Sequence, residues 1–470
     1  MPHRGSPLLE RRRLYTALIV SVAIAGCVRS AATGSSVPTG KPDIILITID
    51  ALRADHLGTY GYSRPTSPSI DAFAREAVVV QDAVSQAPYT KASMASLFTG
   101  LFPTAHKAFT TSRTFDNTMT GHVSGALPST DVLSPRLKTL AECLTDAGYQ
   151  TIGINTNPFL ISDFGFGRGF AQYDFLTGRD VEVATASAVT SKALAHIDAR
   201  DRQRPLFLWL HLMEPHSPYT PPDRFRQMFP PKGPPLTVPA EAIPAWIRVD
   251  NSTDANFYAA LYDAEIRSAD EALGTFFDGL KQRKLWDRSV VMLTADHGEE
   301  FYEHGGFEHN RTLYDEMLHV PLIVKAPGLA PRRLQEQLAE VDLLPTLVAR
   351  AGGNVPAGLS GADVWSVLTG RRHAERYAYA ELVGERYALR TREWKLISTL
   401  HGSHELYNLT SDPHERQSLV VEDTSRTAEM RDVLTKVLAR AVQAGSHFQG
   451  AFAPIPPRVL ERLKSLGYVQ

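Results

Sequence analysis

Residues 44–50 read Ile-Ile-Leu-Ile-Thr-Ile-Asp. Five apolar residues and a threonine stand in a row with no polar alternation, and a carboxylate closes the run. That pattern predicts a strand buried on both faces, as strands of parallel sheets are. Working outward, residues 206–212, 290–294 and 320–324 repeat it, and 151–154 is a shorter version. Helical patterns lie between them over 68–77, 137–147, 183–197 and 257–280. Strands alternating with helices predict an α/β fold with a large, mainly parallel sheet flanked by helices. The proline-rich stretch 228–245 has no period and is expected as a surface excursion. After about Arg371 the texture changes. Short alternating runs at 376–383, 386–392, 394–400 and 405–409 precede a helical pattern at 427–444, which predicts a small C-terminal antiparallel sheet with a helix packed on it.

The chain has 470 residues, 43% hydrophobic and 21% charged, which excludes a disordered or collagen-like chain. Lys+Arg is 49 against Asp+Glu 51, net −2, so there is no basic excess of the kind a nucleic-acid binder shows. Two cysteines supply neither a disulfide framework nor a Cys-only zinc site. Arg4 and Arg11 to Arg13 precede an apolar run, 14–25, too short to span a bilayer stably. The run ends in Ile24-Ala25-Gly26-Cys27, similar to a bacterial lipobox, in which the cysteine is lipidated and becomes the N-terminus. Residues 1–27 are therefore expected to be a lipoprotein signal peptide and 28–41 a flexible tether. The mature chain would be an exported bacterial lipoprotein of the cell envelope, held at the membrane by lipid on Cys27. An ordinary signal peptide or a single N-terminal anchor is the competing reading. The remaining expected units are an α/β domain over 42–370 and an α+β subdomain over 371–470.

In open parallel sheets ligands bind beyond the carboxyl ends of the strands. Here the first strand runs into Asp50, the 290–294 strand into Asp296-His297, and the 206–212 strand into Glu214-Pro215-His216. Carboxylates with imidazoles are a mixed donor set suited to Ca, Mn, Mg or Zn. Residues 86–100 read as a turn feeding a helix, with Thr90 at its start. Thr90 is either an N-cap or a hydroxyl placed where backbone N–H groups and the helix dipole favour an anion. A metal beside it would make it a nucleophile.

Several stretches together resemble the sulfatase branch of the alkaline phosphatase superfamily: DIILITIDALRADHLGTYGY at 43–62, residues 66–73 and 90–100, LHLMEPHSPYTPP at 210–222, residues 262–270, TADHGEEFYEHGGFEHNRTLYDEMLHVPLIVKAP at 294–327, and ELYNLTSDPHERQSL at 405–419. The resemblance implies one divalent metal held by Asp50, Asp296 and His297, with Thr90 as nucleophile and additional metal contact. It implies that His216 and His309 contact the transferred group or protonate the leaving oxygen. The expected substrate is an anionic ester, of sulfate or phosphate, on a glycan, lipid or small molecule.

The nucleophile segment departs from the family. True sulfatases carry Cys or Ser in a Cys/Ser-x-Pro-x-Arg pattern and oxidise it to formylglycine, whereas this chain reads Thr90-Lys91-Ala92-Ser93-Met94. The methyl on the threonine β-carbon prevents oxidation to the aldehyde, so formylglycine is not expected. Threonine nucleophiles are usual in phosphodiesterases, nucleotide pyrophosphatases and phosphoethanolamine transferases of the superfamily, which leaves phosphoester hydrolysis or transfer open. A catalytically silent, anion-binding lipoprotein is the alternative. Arg53 is expected either to orient the metal carboxylates or to form a structural salt bridge. Lys91 could supply some of the charge lost with the family's arginine but is expected as a solvated lysine at the helix start. His211 points toward the same edge but is expected as a core histidine. Glu299, Glu300 and Glu303 are expected as loop surface, with Glu300 the one that could support the metal ligands. Asp315 and His319, four apart, could hold a second metal with His216 or His309.

Overall fold

In a computed structural model of the chain, the structure describes residues 40–109, 129–177, 184–371 and 376–465. The signal peptide, Cys27 and nearly all of the tether lie outside the described residues. Among the described residues, no helix is long and apolar enough to cross a membrane.

Among the described residues the central sheet has nine strands. Across it lie Arg332–Leu334, Val78–Val84, His319–Lys325, Ser289–Ala295, Asp43–Ile49, Leu206–Leu212, Gln150–Asn155 and Gln172–Phe175, with Leu338–Ala339 also pairing Val78–Val84. The stretch that begins the sequence argument is in the middle. Asp43–Ile49 is buried along its whole length and pairs in parallel with Leu206–Leu212 on one side and Ser289–Ala295 on the other. Apolar side chains on both faces of such a strand leave water together, which is why the run carries no polar alternation.

One expected strand differs in direction. His319–Lys325 is antiparallel to both its neighbours, Val78–Val84 and Ser289–Ala295. A run of apolar residues encodes burial and carries no sign for direction, so the sequence pattern was blind to this. The inversion has a useful consequence. Two antiparallel pairings in succession return Val78–Val84 to the direction of the parallel strands, so the chain leaving it toward Thr90 emerges at the same sheet edge as Asp50 and Asp296. Val78–Val84 itself was not anticipated, because Gln81 and Asp82 break its apolar run and are only half-buried.

The C-terminal unit is a four-stranded antiparallel meander, Ala378–Leu382, Arg386–Arg390, Trp394–Thr399 and His404–Asn408. Period-two alternation gives it two apolar faces. Tyr379, Leu389, Leu396 and Leu406 meet Met430 and Leu434 of the Thr424–Gly445 helix. Ala380, Leu382, Ala388 and Ile397 meet Val84, Leu313 and Met317 of the main body. Buried ions seal this junction: Asp315 is bound by Arg390 at 2.9 Å and by Lys395 at 2.9 Å, and Lys395 also meets Glu415 at 3.0 Å. Against the cost of burial, the Arg390 and Lys395 cations hold the Asp315 carboxyl far below the usual range.

Candidate active site

The site is assembled at the carboxyl ends of the parallel strands. Asp50 follows Ile49 directly, and its N–H donates to Leu212 O at 2.9 Å, so the pairing with the neighbouring strand fixes its backbone. Ala51 then adopts φ 57°, a left-handed conformation unusual for a residue with a Cβ. This turn delivers the Ala51 N–H to Asp296 Oδ1 at 3.1 Å, while the His297 N–H reaches the same oxygen at 2.9 Å. With Oδ1 held by two donors, Asp296 Oδ2 is left buried with no hydrogen-bond partner. The His297 Nδ1–H donates to Gly298 O at 2.8 Å, which turns the bare Nε2 inward. That nitrogen lies 3.5 Å from Asp50 Oδ1 and 3.6 Å from Asp296 Oδ2.

Asp50, Asp296 and His297 each offer a ligand atom within 4.8 Å of the others, and all three are fully buried. Two buried carboxylates this close without a cation are unfavourable. Burial first, and then the Asp50 charge, push the Asp296 carboxyl up to about 7. For Asp50 burial acts upward too, but the imidazoles of His216, His211 and His297 outweigh it and hold that carboxyl well below the usual range. An unpartnered buried carboxylate oxygen, a second carboxylate and an inward imidazole lone pair fit a divalent cation.

Thr90 opens the Thr90–Thr99 helix, whose residues are all buried. The N-cap is Tyr89, and no side chain caps the helix, so the Thr90 hydroxyl is free of the capping duty that its sequence position allowed. Its Oγ1 instead lies 3.5 Å from Asp50 Oδ1 and 3.3 Å from His297 Nε2. His216 and His309 close the far side. The rings of His309 and His297 are 4.4 Å apart between centroids, and those of His216 and His309 are 4.9 Å apart. Burial, and then His216 beside it, hold the His309 imidazole down to about 4.

Three further residues belong to this constellation. Asn157 Nδ2 donates to Asp50 Oδ2 at 2.6 Å and lies 3.3 Å from Thr90 Oγ1. Its orientation is fixed, because its Oδ1 accepts from the Phe159 N–H at 2.8 Å. His211, expected in the core, is buried but faces the site: Nε2 is 3.3 Å from Asp50 Oδ2, and Nδ1 is 2.8 Å from Thr48 Oγ1. Glu299, expected on the surface, is fully buried. Its Oε1 meets His309 Nδ1 at 3.1 Å, its Oε2 accepts from the Tyr219 hydroxyl at 3.1 Å, and burial raises its carboxyl to about 8. Glu300 is buried as well and accepts from the Gly306 N–H.

Lys91 is not solvated. Its side chain is 1% exposed, and its Nζ lies 2.5 Å from Asp131 Oδ1 and donates to Thr130 Oγ1 at 2.6 Å. Burial pulls its ammonium below the usual lysine range. Lys91→Met should therefore strand a buried carboxylate at Asp131 and destabilise the fold by about 3–5 kcal/mol. Urea unfolding of the two proteins checks this, and a change within 0.5 kcal/mol (on the order of an exposed substitution) would contradict it. Arg53 is a salt bridge, paired with Asp55 at 2.8 Å and Glu303 at 2.6 Å, and it touches neither Asp50 nor Asp296 by hydrogen bond among the described contacts. Asp315 is committed to Arg390 and Lys395, and His319 Nε2–H donates to Gln81 O at 2.7 Å, so the second-metal arrangement is not formed. Among the described residues Asp50, Asp296 and His297 make the one metal-competent group.

The family model described as Sulfatase matches residues 42–353, and one described as N-sulphoglucosamine sulphohydrolase, C-terminal, matches residues 302–444. The chain is 23% identical over 453 residues to the "Uncharacterized sulfatase YidJ" of Escherichia coli (strain K12), covering 85% of this chain and 86% of that protein. It is 21% identical over 460 residues to an arylsulfatase of Clostridium perfringens, covering 86% and 95%. Among solved structures, BT4656 in complex with its substrate D-glucosamine-2-N,6-O-disulfate superposes with a TM-score of 0.69 at 20% identity, covering 85% of this chain and 98% of that one. The phosphonate monoester hydrolase of Agrobacterium radiobacter superposes with a TM-score of 0.69 at 19% identity, covering 86% and 96%. The strand-end carboxylates, the buried threonine and the histidine wall all lie within the matched region, and the chain belongs to the sulfatase family of ester hydrolases.

Proposed function

We propose that this enzyme cleaves phosphate or phosphonate esters, with the Thr90 hydroxyl attacking the central atom. The observation that carries the reading is the position of Thr90 Oγ1: at a helix N-terminus, 3.5 Å from Asp50 Oδ1 and 3.3 Å from His297 Nε2, beside the unpartnered Asp296 Oδ2. Asp50, Asp296 and His297 would hold a divalent cation, which would supply charge neutralisation and lower the pKa of a neighbouring hydroxyl. Asn157 donates toward the same hydroxyl oxygen and steadies it as negative charge develops. In the first step the Thr90 hydroxyl, its proton lost to solvent, forms an O–P bond as the P–O bond to the leaving group breaks, and His216 or His309, protonated beside the bound substrate anion, gives its proton to the departing oxygen. In the second step water attacks phosphorus, its proton passes to the same imidazole, and the Thr90 O–P bond breaks. A sulfated threonine would need the harder attack at sulfur, since it lacks the geminal hydroxyl through which a formylglycine hydrate expels sulfate. That chemistry favours phosphorus over sulfur here.

A panel of aryl sulfate, phosphate monoester, phosphate diester and phosphonate ester, offered to the chain from Ser30 on with Mn, Ca or Zn, tests the reading. The expected result is turnover of a phosphorus ester above that of the sulfate. Sulfate as the best substrate would sink the phosphorus preference, and no turnover at all would favour the silent binder.

The proposal extends to location. Cys27 would carry lipid and tether the enzyme to the cell envelope. Mass spectrometry of the mature protein from its bacterial host should find a diacylated or triacylated Cys27. An unmodified N-terminus downstream of Cys27 in the soluble fraction would refute the anchor.

A further inference from the structure

The proline-rich excursion leads into a short turn of 3-10 helix, Ala245–Ile247, whose Trp246 reaches Glu308, the residue before His309. Two buried isoleucines, Ile243 and Ile247, pin the segment to the core on either side of Trp246. Arg248 ties it internally by donating to Ile243 O at 2.9 Å and Ala240 O at 2.7 Å. Trp246 itself stays 38% exposed, among the few large apolar side chains left in water.

Its polar atom is nevertheless engaged. The Trp246 Nε1–H donates to Glu308 Oε1 at 2.8 Å, and the Ser217 hydroxyl donates to the same oxygen at 2.7 Å. Glu308 precedes His309 and Ser217 follows His216, so one carboxylate oxygen joins the indole to both histidines assigned to the leaving group. Glu308 reaches this position from φ 65°, a conformation that costs a non-glycine residue on the order of 1 kcal/mol and persists only where the surroundings enforce it. An indole held by its N–H on a rigid segment, with ring surface still in water, is pre-ordered for stacking and loses little side-chain entropy on binding.

We infer that Trp246 is a platform for the leaving group of the substrate, selecting esters whose alcohol carries a flat apolar ring face. This deepens the ester-cleavage reading and rests on its placement of the leaving group at His216 and His309. Ring faces of this kind come from aryl groups and from pyranoses, and the two are separable by experiment.

Calorimetric binding to the full chain with Mn would compare methylphosphonate, phenylphosphonate and a glucosyl-methylphosphonate joined through carbon. None has a cleavable ester, so the affinities are read whether or not the chain turns over any substrate. Failure of the platform and failure of the threonine chemistry are therefore separate results. The wild type should bind at least one ring ligand about tenfold tighter than methylphosphonate, and the tighter of the two names the source. Trp246→Ala should bring that ratio to within about twofold while leaving methylphosphonate affinity and the thermal melt unchanged, and Trp246→Phe should keep most of it. A wild type with no ring preference, or a preference unchanged in Trp246→Ala, would overturn the inference.

Discussion

Thr90→Ala should lower kcat on the best ester by three orders of magnitude or more, roughly the loss that follows removal of a covalent nucleophile. The fold should survive, because the hydroxyl caps no helix and its neighbours are site atoms rather than core packing. Thr90→Ser keeps the hydroxyl and should retain far more activity than Thr90→Ala. KM should move much less than kcat, since the lost interaction forms only as the central atom is attacked. Near-normal turnover by Thr90→Ala would remove the nucleophile assignment and leave attack by water or the silent binder. Co-expression with a formylglycine-generating enzyme should change nothing, because the threonine β-carbon cannot become an aldehyde.

Removing the cation should have the second large effect. Asp50 and Asp296 are buried with ligand atoms within 4.8 Å, and Asp296 Oδ2 accepts no hydrogen bond. Chelation should abolish activity and lower the melting temperature, and adding Mn, Ca, Mg or Zn should reverse both. At a hundredfold excess over Kd the stabilisation is about 2.7 kcal/mol, a rise of several degrees. The pH dependence has a definite sign. In the metal-free fold burial, and then the Asp50 charge, push the Asp296 carboxyl up from 3.8 to about 7. Its folded pKa is raised, so its contribution to metal-free stability is full below about pH 4 and is lost as pH rises through about 7. A cation displaces that proton and binds better once it has left. The rise in melting temperature on adding metal should therefore be larger at pH 8 than at pH 5.5. Scanning calorimetry with and without metal checks this. An Asp296→Asn protein that keeps wild-type metal content by elemental analysis would contradict the ligand assignment.

Much of this was legible in the sequence because burial and chemistry are written at different positions of the same strands. The run before Asp50 announces a buried strand, and the carboxylate that closes it is a candidate ligand. The same rule applied to Asp296-His297 and to His216. Asn157 follows another parallel strand, Gln150–Asn155, and the rule covered it too. It was passed over because Asn before Pro reads as a turn residue, which it also is. His211 points from its strand toward the same edge, but a histidine inside an apolar run reads as a core residue, and the register that sets it opposite Thr48 at the strand end is what brings it to Asp50. Lys91 misled because lysines at helix starts are usually solvated, and its buried partner Asp131 lies forty residues along the chain. The direction of His319–Lys325 had no local code at all. Pairing of distant segments decides such features, and propensity does not reach that far.

The central claim is that Thr90 becomes covalently bonded to the substrate's central atom. A His309→Ala protein, mixed with an activated aryl phosphate in the presence of Mn, quenched in acid within milliseconds to seconds and digested, tests it most directly. Without one of the two imidazoles placed to serve both steps, and with a leaving group that needs no proton, breakdown of the intermediate should be slower than its formation. Mass spectrometry should then find a phosphoryl group on the Thr90 side chain, absent from the same protein carrying Thr90→Ala. Steady turnover with no phosphorylated Thr90 at any quench time, and none with His216→Ala, would contradict the account and assign the attack to water.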